Sequence, residues 1–317
     1  MTTQPLPVRT RLFAMLLKAV AEEQTDAAQL LALRRKRQRL LSTRLGRAIV
    51  GTDAPGVRVR ELTIGGDSET RLRVHSPEFA GGSLPIVVNY HGGGWCIGSP
   101  EQSRWLASRV AGQVGAVVVS PTYRLGPEHP YPAATEDAWA ALQWVHEHAA
   151  DLGGDRGRIA VMGDSAGGNL AAVTALMARD TGTPDLSAQV LIYPVVEVHE
   201  RWPSEDANAL APLLTSSLMR TFTRTYLADA ADTQDWQASP IRATSHTGLP
   251  PTLILTAGHD PLRDHGTRYA ETLRAAGVAA ELCDFPDAIH GFTALPGAAP
   301  AAETALDEIV AFLRRSI

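Results

Sequence analysis

The chain has 317 residues, 44% of them hydrophobic and 20% charged, which is a globular composition long enough for one large core and an accessory region. A net charge of −5, from 29 Lys and Arg against 34 Asp and Glu, argues against nucleic acid as a partner. Two cysteines, Cys96 and Cys283, with no Cys-x-x-Cys pair, exclude a disulfide framework, a zinc ribbon and a thioredoxin-like site.

Residues 8–45 carry apolar side chains at helical spacing. Leu12, Met15, Leu16 and Ala19 recur at intervals of three and four, as do Leu30, Leu33, Arg37 and Leu41 with one polar exception. Gly46 is the predicted stop. Arg9 and Arg11, the apolar stretch 12–17 and Ala19-Val20-Ala21 have the outline of a secretory leader. Lys18 ends the apolar stretch after six residues, short of the ~7–15 such a leader uses. The better reading is an amphipathic helix in a cytoplasmic protein, and no run approaches the ~18–20 apolar residues of a membrane span. The basic run Arg34-Arg35-Lys36-Arg37-Gln38-Arg39 is expected to be a solvated helix face, given the acidic total.

From residue 57 the period changes to two. Segments 57–64 and 71–75 read as half-buried, antiparallel strands joined by turn chemistry at Gly65-Gly66-Asp67. Beyond them apolar strands are predicted at 85–90, 116–120, 158–162, 190–193, 252–256 and 279–285. Helices are predicted at 133–149, 166–178, 262–276 and 302–315. Short buried strands separated by helices mean a mostly parallel central sheet with helices on both faces, an α/β fold. The stretch at about 197–240 interrupts this alternation and is too apolar for a linker. It reads as a helical insertion that caps the sheet together with residues 1–50, so the catalytic domain would be 51–317.

Two motifs carry chemistry. Gly163-Asp164-Ser165-Ala166-Gly167-Gly168 contains G-x-S-x-G and sits between a predicted strand and a predicted helix. A turn this tight demands small neighbours and pushes the serine hydroxyl into the open, while the helix N-terminus behind it favours developing negative charge. His91-Gly92-Gly93-Gly94-Trp95 follows the strand 85–90. Such a glycine run lets backbone N–H groups converge on the oxyanion that attack by a serine creates. The serine needs a base and the base needs an orienting acid, which follow it in that fold in the order acid, then histidine. Four histidines lie beyond residue 240, at 246, 259, 265 and 290. His290 follows the last predicted strand, and Asp260 follows the one before it. Asp264 is the rival acid, although it would lie a turn into a helix. His259 and His265 read as surface or packing residues near Asp260, and His146 and His148 as solvated residues rather than metal ligands.

The chain resembles the bacterial hormone-sensitive-lipase-like (family IV) esterases of the α/β-hydrolase fold. The resemblance covers roughly 55–315. It rests on the two motifs above, on Tyr123-Arg124-Leu125-Gly126-Pro127-Glu128-His129, on Asp260-Pro261-Leu262-Arg263-Asp264 and on His290-Gly291-Phe292. It implies a carboxylic-ester hydrolase for short to medium acyl chains that needs no metal or organic cofactor. It implies a triad of Ser165, Asp260 and His290, oxyanion donors at Gly93, Gly94 and Ala166, a small-molecule ester as partner, and a structural role for 121–129. It is also compatible with a homodimer. Three positions depart from the family pattern: Gly126 replaces Ala, His265 replaces Glu, and Asp287-Ala288 replaces small residues before the histidine. His265 would alter the hydrogen bonding around Asp260. Trp95, Trp202, Leu213, Leu214, Phe222 and Tyr226 are candidate pocket walls, and Cys96 reads as a small buried apolar residue. Other acyl-transfer chemistry, such as peptidase or amidase action, and a non-catalytic binding role are the competing readings.

Overall fold

A computed structural model describes residues 3–20, 26–65, 70–78, 81–230 and 233–317, with the side chains of 17–20 set aside. The leader-like Ala19-Val20-Ala21 and most of the turn at Gly65-Gly66-Asp67 thus lie outside the described residues or side chains.

Three helices open the chain: α1 (Val8–Val20), α2 (Ala27–Ser42) and α3 (Arg44–Val50). Gly46 is not the stop that helical spacing predicts. The break falls at Thr43, whose N–H donates to Leu40 O and whose hydroxyl oxygen accepts from Gly46 N. A threonine oxygen satisfies a first-turn amide that otherwise has no acceptor, so one residue ends α2 and starts α3. Gly46 lies inside α3 because α3 packs back on α2: a Cβ there would stand 1.9 Å from Leu40 O.

The sheet begins with the antiparallel pair β1 (Val57–Ile64) and β2 (Thr70–Pro77). The chain continues through β3 (Leu84–Tyr90), α4 (Arg104–Val110), β4 (Val117–Pro121), α5 (Ala133–Glu147) and β5 (Gly154–Asp164). Then come α6 (Ala166–Thr181), β6 (Leu186–Ile192), α7 (Pro203–Ala207) and α8 (Ser216–Leu227). The order ends with β7 (Thr252–His259), α9 (Arg263–Ala275), β8 (Ala280–Ile289) and α10 (Ala301–Ser316). Helix α4 was not expected from the pattern, since seven residues are too few to display a helical period.

The eight strands lie in the order β1-β2-β4-β3-β5-β6-β7-β8, with β2 antiparallel to both neighbours and β3 to β8 all parallel. Parallel strands covered on both faces read as unbroken apolar runs, and Val117, Val118 and Val119 or Leu253, Ile254 and Leu255 are fully buried accordingly. Helices α5, α6 and α9 pack on one face through Leu142, Leu170 and Tyr269. Helices α4 and α10 pack on the other through Trp105, Val110 and Ile309.

The basic run on α2 is solvated in part. Arg35, Lys36 and Arg39 are exposed, but Arg34 turns inward. Its Nε donates to Cys96 O at 2.7 Å, another nitrogen donates to Gly126 O, and the guanidinium grips Glu128 at 2.8 and 3.0 Å. A planar fork meeting a carboxylate and two carbonyls ties α2 to the loops after β3 and β4. The stretch 197–240 holds α7 and α8, and Phe222, Tyr226 and Leu227 of α8 are buried beside Trp95. Tyr131 OH secures its far end by donating to Asp235 at 2.6 Å. Among the described residues, no helix is long and apolar enough to cross a membrane.

Candidate active site

Parallel pairing brings the carboxyl ends of β3, β5, β7 and β8 to one edge. Register then levels the residues that follow. Tyr90 pairs with Gly163, which sets His91 beside Asp164, and His259 pairs with Ile289, which sets Asp260 beside His290.

Ser165 stands between β5 and α6 at φ 57° and ψ −118°, a conformation that costs a non-glycine residue about 1–3 kcal/mol. Three hydrogen bonds hold it there. Its N–H donates to Ile192 O at 2.9 Å, and its carbonyl accepts from Asn169 N at 3.0 Å and Val195 N at 3.3 Å. The flanking glycines are steric necessities, because a Cβ on Gly163 would stand 2.1 Å from Gly167 O and one on Gly167 would stand 2.0 Å from Tyr90 O.

Ser165, His290 and Asp260 meet in one line. His290 Nε2 lies 3.0 Å from Ser165 Oγ, and His290 Nδ1 lies 2.7 Å from Asp260 Oδ2. An ionised carboxylate can only accept, so Nδ1 carries the ring proton and Nε2 is left to accept from the serine. Asp260 is fully buried, and its second oxygen accepts from Leu262 N at 2.8 Å. Asn208 Nδ2 donates to the Asp260 carbonyl at 3.1 Å, a support from the 197–240 stretch that the sequence pattern did not reveal.

The glycine run curls over this line. Gly93 at φ 128° and Gly94 at φ 58° occupy backbone regions that L side chains rarely adopt. Among the described residues, no protein acceptor takes the N–H of Gly93, Gly94 or Ala166. The Gly92 N–H, by contrast, donates to Asp164 Oδ1 at 2.9 Å. Tyr123 buttresses the loop by stacking on His91 and donating to its carbonyl at 2.6 Å. Burial pushes the His91 pKa down to about 4, so its ring is neutral and its Nδ1 donates to Gly92 O.

Asp164 is the residue that sequence reasoning passed over, although it sits inside the quoted motif. Burial pushes its pKa up to about 6, against the pull of the Gly92 N–H. Arg37 shares the inward face of α2 with Leu30 and Arg34, and the Asp164 carboxylate partly offsets the lowering that burial imposes on its guanidinium. Tyr193 was also missed. Its ring centroid lies 4.7 Å from that of His290, and its hydroxyl is paired with Thr293 at 2.5 Å. The signal was its place directly after β6, between the strands that deliver Ser165 and Asp260.

The six candidate pocket residues divide. Phe222 packs on the glycine run, since a Cβ on Gly94 would stand 2.3 Å from its ring, and Leu213 touches Gly291 beside His290. Trp95 and Tyr226 stack on each other at 4.2 Å, and Leu214 is buried with them in the same core cluster. Trp202 is placed elsewhere. It meets His265 edge-on under Arg268 and lines a separate hollow of about 300 Å³ with Glu197, Glu200 and Arg242. The rival acid stands apart from this line: Asp264 accepts from Ser204 N at 2.9 Å, whereas His290 Nδ1 meets Asp260. His265 is buried as a packing residue against Trp202; its Nδ1 accepts from Val196 N at 3.3 Å and burial lowers its pKa to about 3. His259 bonds Gln4 O at 2.7 Å, and His148 stacks on Trp144. Cys96 is fully buried, its thiol pushed up to about 12 by burial. No cluster of metal-ligating side chains occurs among the described residues.

A mostly parallel eight-stranded sheet with a serine at a strand-to-helix elbow is the architecture of the α/β hydrolases. The family model described as alpha/beta hydrolase fold matches residues 87–294. The chain is 45% identical to the carboxylesterase NlhH of Mycobacterium tuberculosis over 83% of this chain and 84% of that one. It is 43% identical to the esterase LipI of the same organism over 82% of each. Among solved structures, a thermostable esterase from Pseudomonas putida superposes with a TM-score of 0.90 at 33% identity, covering 100% of this chain and 99% of that one. The chain belongs to the α/β-hydrolase fold family, in its hormone-sensitive-lipase-like branch.

Proposed function

We propose that this protein is a serine carboxylesterase acting on small esters of short to medium acyl chains, with Ser165 as nucleophile, His290 as base and Asp260 as orienting acid. The observation that carries the reading is the unbroken line from Ser165 Oγ to His290 to buried Asp260, beside backbone N–H groups with no protein acceptor among the described residues. His290 takes the proton as Ser165 Oγ attacks the ester carbonyl. The N–H groups of Gly93, Gly94 and Ala166 receive the oxyanion. The tetrahedral intermediate collapses, the alcohol leaves with the proton from His290, and water repeats the sequence on the acyl-enzyme. Every proton and charge in this cycle is handled by the chain's own groups. The N-terminal helices and the 197–240 insertion form the cap, and Leu213 and Phe222 wall the acyl site.

Ser165→Ala should abolish hydrolysis of p-nitrophenyl butyrate while leaving the circular dichroism spectrum unchanged. Near-normal turnover in that variant would sink the assignment.

A further inference from the structure

We propose that the outer face of α1 is a docking surface for an anionic lipid layer, and that it seats the carboxyl edge of the sheet against that layer. Val8, Leu12, Met15 and Leu16 are 63%, 56%, 59% and 68% exposed, although each is large and apolar. Their spacing of four, three and one places all four on one stripe of the helix. Thr10 and Phe13 take the opposite side: Thr10 is buried and Phe13 packs into the core that contains Val50. Helical rotation puts exposed Arg9 and Arg11 on the two rims of the stripe. An apolar stripe edged by arginines is the pattern of a helix lying in a membrane surface, its side chains in the acyl boundary and its cations among anionic headgroups.

Charge selects the occupant. Residues 1–50 hold ten Lys and Arg against three Asp and Glu, although the chain as a whole is acidic. Of these, Arg35, Lys36, Arg39, Arg44 and Arg47 are exposed on α2 and α3, together with Leu40 and Leu45. A second copy meeting this face with its own would set like charges together. Seating the face on the acidic body of another copy is a head-to-tail contact that does not close on itself. A lipid layer carrying negative headgroups satisfies both the stripe and its rims.

The stripe is also fixed to the site. Gln4, just before α1, donates its N–H to Pro286 O at 3.0 Å, and its carbonyl takes a hydrogen bond from His259 at 2.7 Å. Thr10 Oγ1 donates to Ala298 O at 3.0 Å. His259 precedes Asp260, and Pro286 lies on the strand that ends at His290. Docking through α1 therefore brings the site's edge to the lipid, where esters of low water solubility collect.

The test is co-sedimentation with vesicles of phosphatidylcholine alone and of phosphatidylcholine mixed with phosphatidylglycerol, at low and high salt. Ser165→Ala serves as a second probe, so that the binding result stands apart from the catalytic assignment. Wild type and Ser165→Ala should bind the anionic vesicles alike, at least about tenfold more tightly than the neutral ones, and lose that preference in high salt. The double variant L12D/L16D, with an unchanged thermal midpoint, should lose about tenfold or more of the binding. Equal binding to both vesicle types, or full binding by L12D/L16D, overturns the proposal. So does a wild-type dimer in light scattering that ignores vesicles and that L12D/L16D dissociates, because the stripe is then a contact between copies.

Discussion

Asp164 makes the protein's stability depend on pH in a direction opposite to that of an ordinary paired carboxylate. Burial raises its pKa from 3.8 to about 6. Between those values the folded chain holds a proton that the unfolded chain has released, so stability falls as pH rises through that window. The rise corresponds to about 3 kcal/mol, fully present as a cost above pH 6 and absent below the unfolded value. Asp164→Asn removes the ionisation and keeps a side-chain oxygen for the Gly92 N–H. Any fixed penalty from the amide is independent of pH and drops out of the comparison. Urea unfolding of both proteins across the acidic and neutral range should therefore show the variant gaining about 3 kcal/mol on wild type from pH 4 to pH 8. A difference that stays flat, or one that moves against the variant as pH rises, refutes the reasoning.

Other substitutions read the site differently. Gly94→Ala places a Cβ 2.3 Å from the Phe222 ring at φ 58°, so p-nitrophenyl butyrate turnover should fall by roughly 10²-fold. Adding Phe222→Ala should recover part of it, because the contacts with the ring at 2.3 and 2.6 Å go, while the 2.7 Å contact with the Phe222 Cβ and a backbone cost of about 1–2 kcal/mol stay; full activity in the single variant would contradict the assigned loop geometry. Arg34→Ala removes the ties from α2 to Cys96, Gly126 and Glu128, and should lower the thermal midpoint and open the N-terminal helices to trypsin. An unchanged digestion pattern counts against that anchoring role. Leu213→Ala, next to Gly291, should shift preference toward longer acyl chains in a series of p-nitrophenyl esters, and an unaltered series would remove Leu213 from the acyl wall.

The strands were legible because parallel pairing buries both faces, which leaves continuous apolar runs such as 117–119 and 253–255 that no polar alternation disguises. The position of Ser165 was legible for a steric reason, since a tight strand-to-helix turn demands small neighbours whatever group fills their place. What stayed hidden depends on how separate segments of the chain meet. Gly46 looked like a terminator, yet it is glycine because α2 and α3 touch there, and Thr43 makes the break through hydrogen bonds that composition does not display. Arg34 and Arg35 are adjacent and chemically identical, but one grips Glu128 and the other faces solvent. Trp202 was grouped with Phe222 by apolarity alone, and the path of the insertion puts them in different places. Asp164 could have been suspected: an acid is costly beside a proposed nucleophile whose attack develops negative charge, so its presence asks for a partner.

That partner explains why the two motifs occur together. The Gly92 N–H is fixed by Asp164, and Gly92 must lack a side chain because a Cβ would stand 2.4 Å from the same carboxylate. Gly167, two residues past Ser165, must lack one because the Tyr90 carbonyl occupies its place. Each motif thus holds residues whose identity the other dictates, across the pairing of β3 with β5. The loop that would receive the oxyanion and the elbow that presents Ser165 are one packed unit. A change in either displaces both, so Ser165 and the N–H groups proposed to receive the oxyanion stay in register without a separate device to align them.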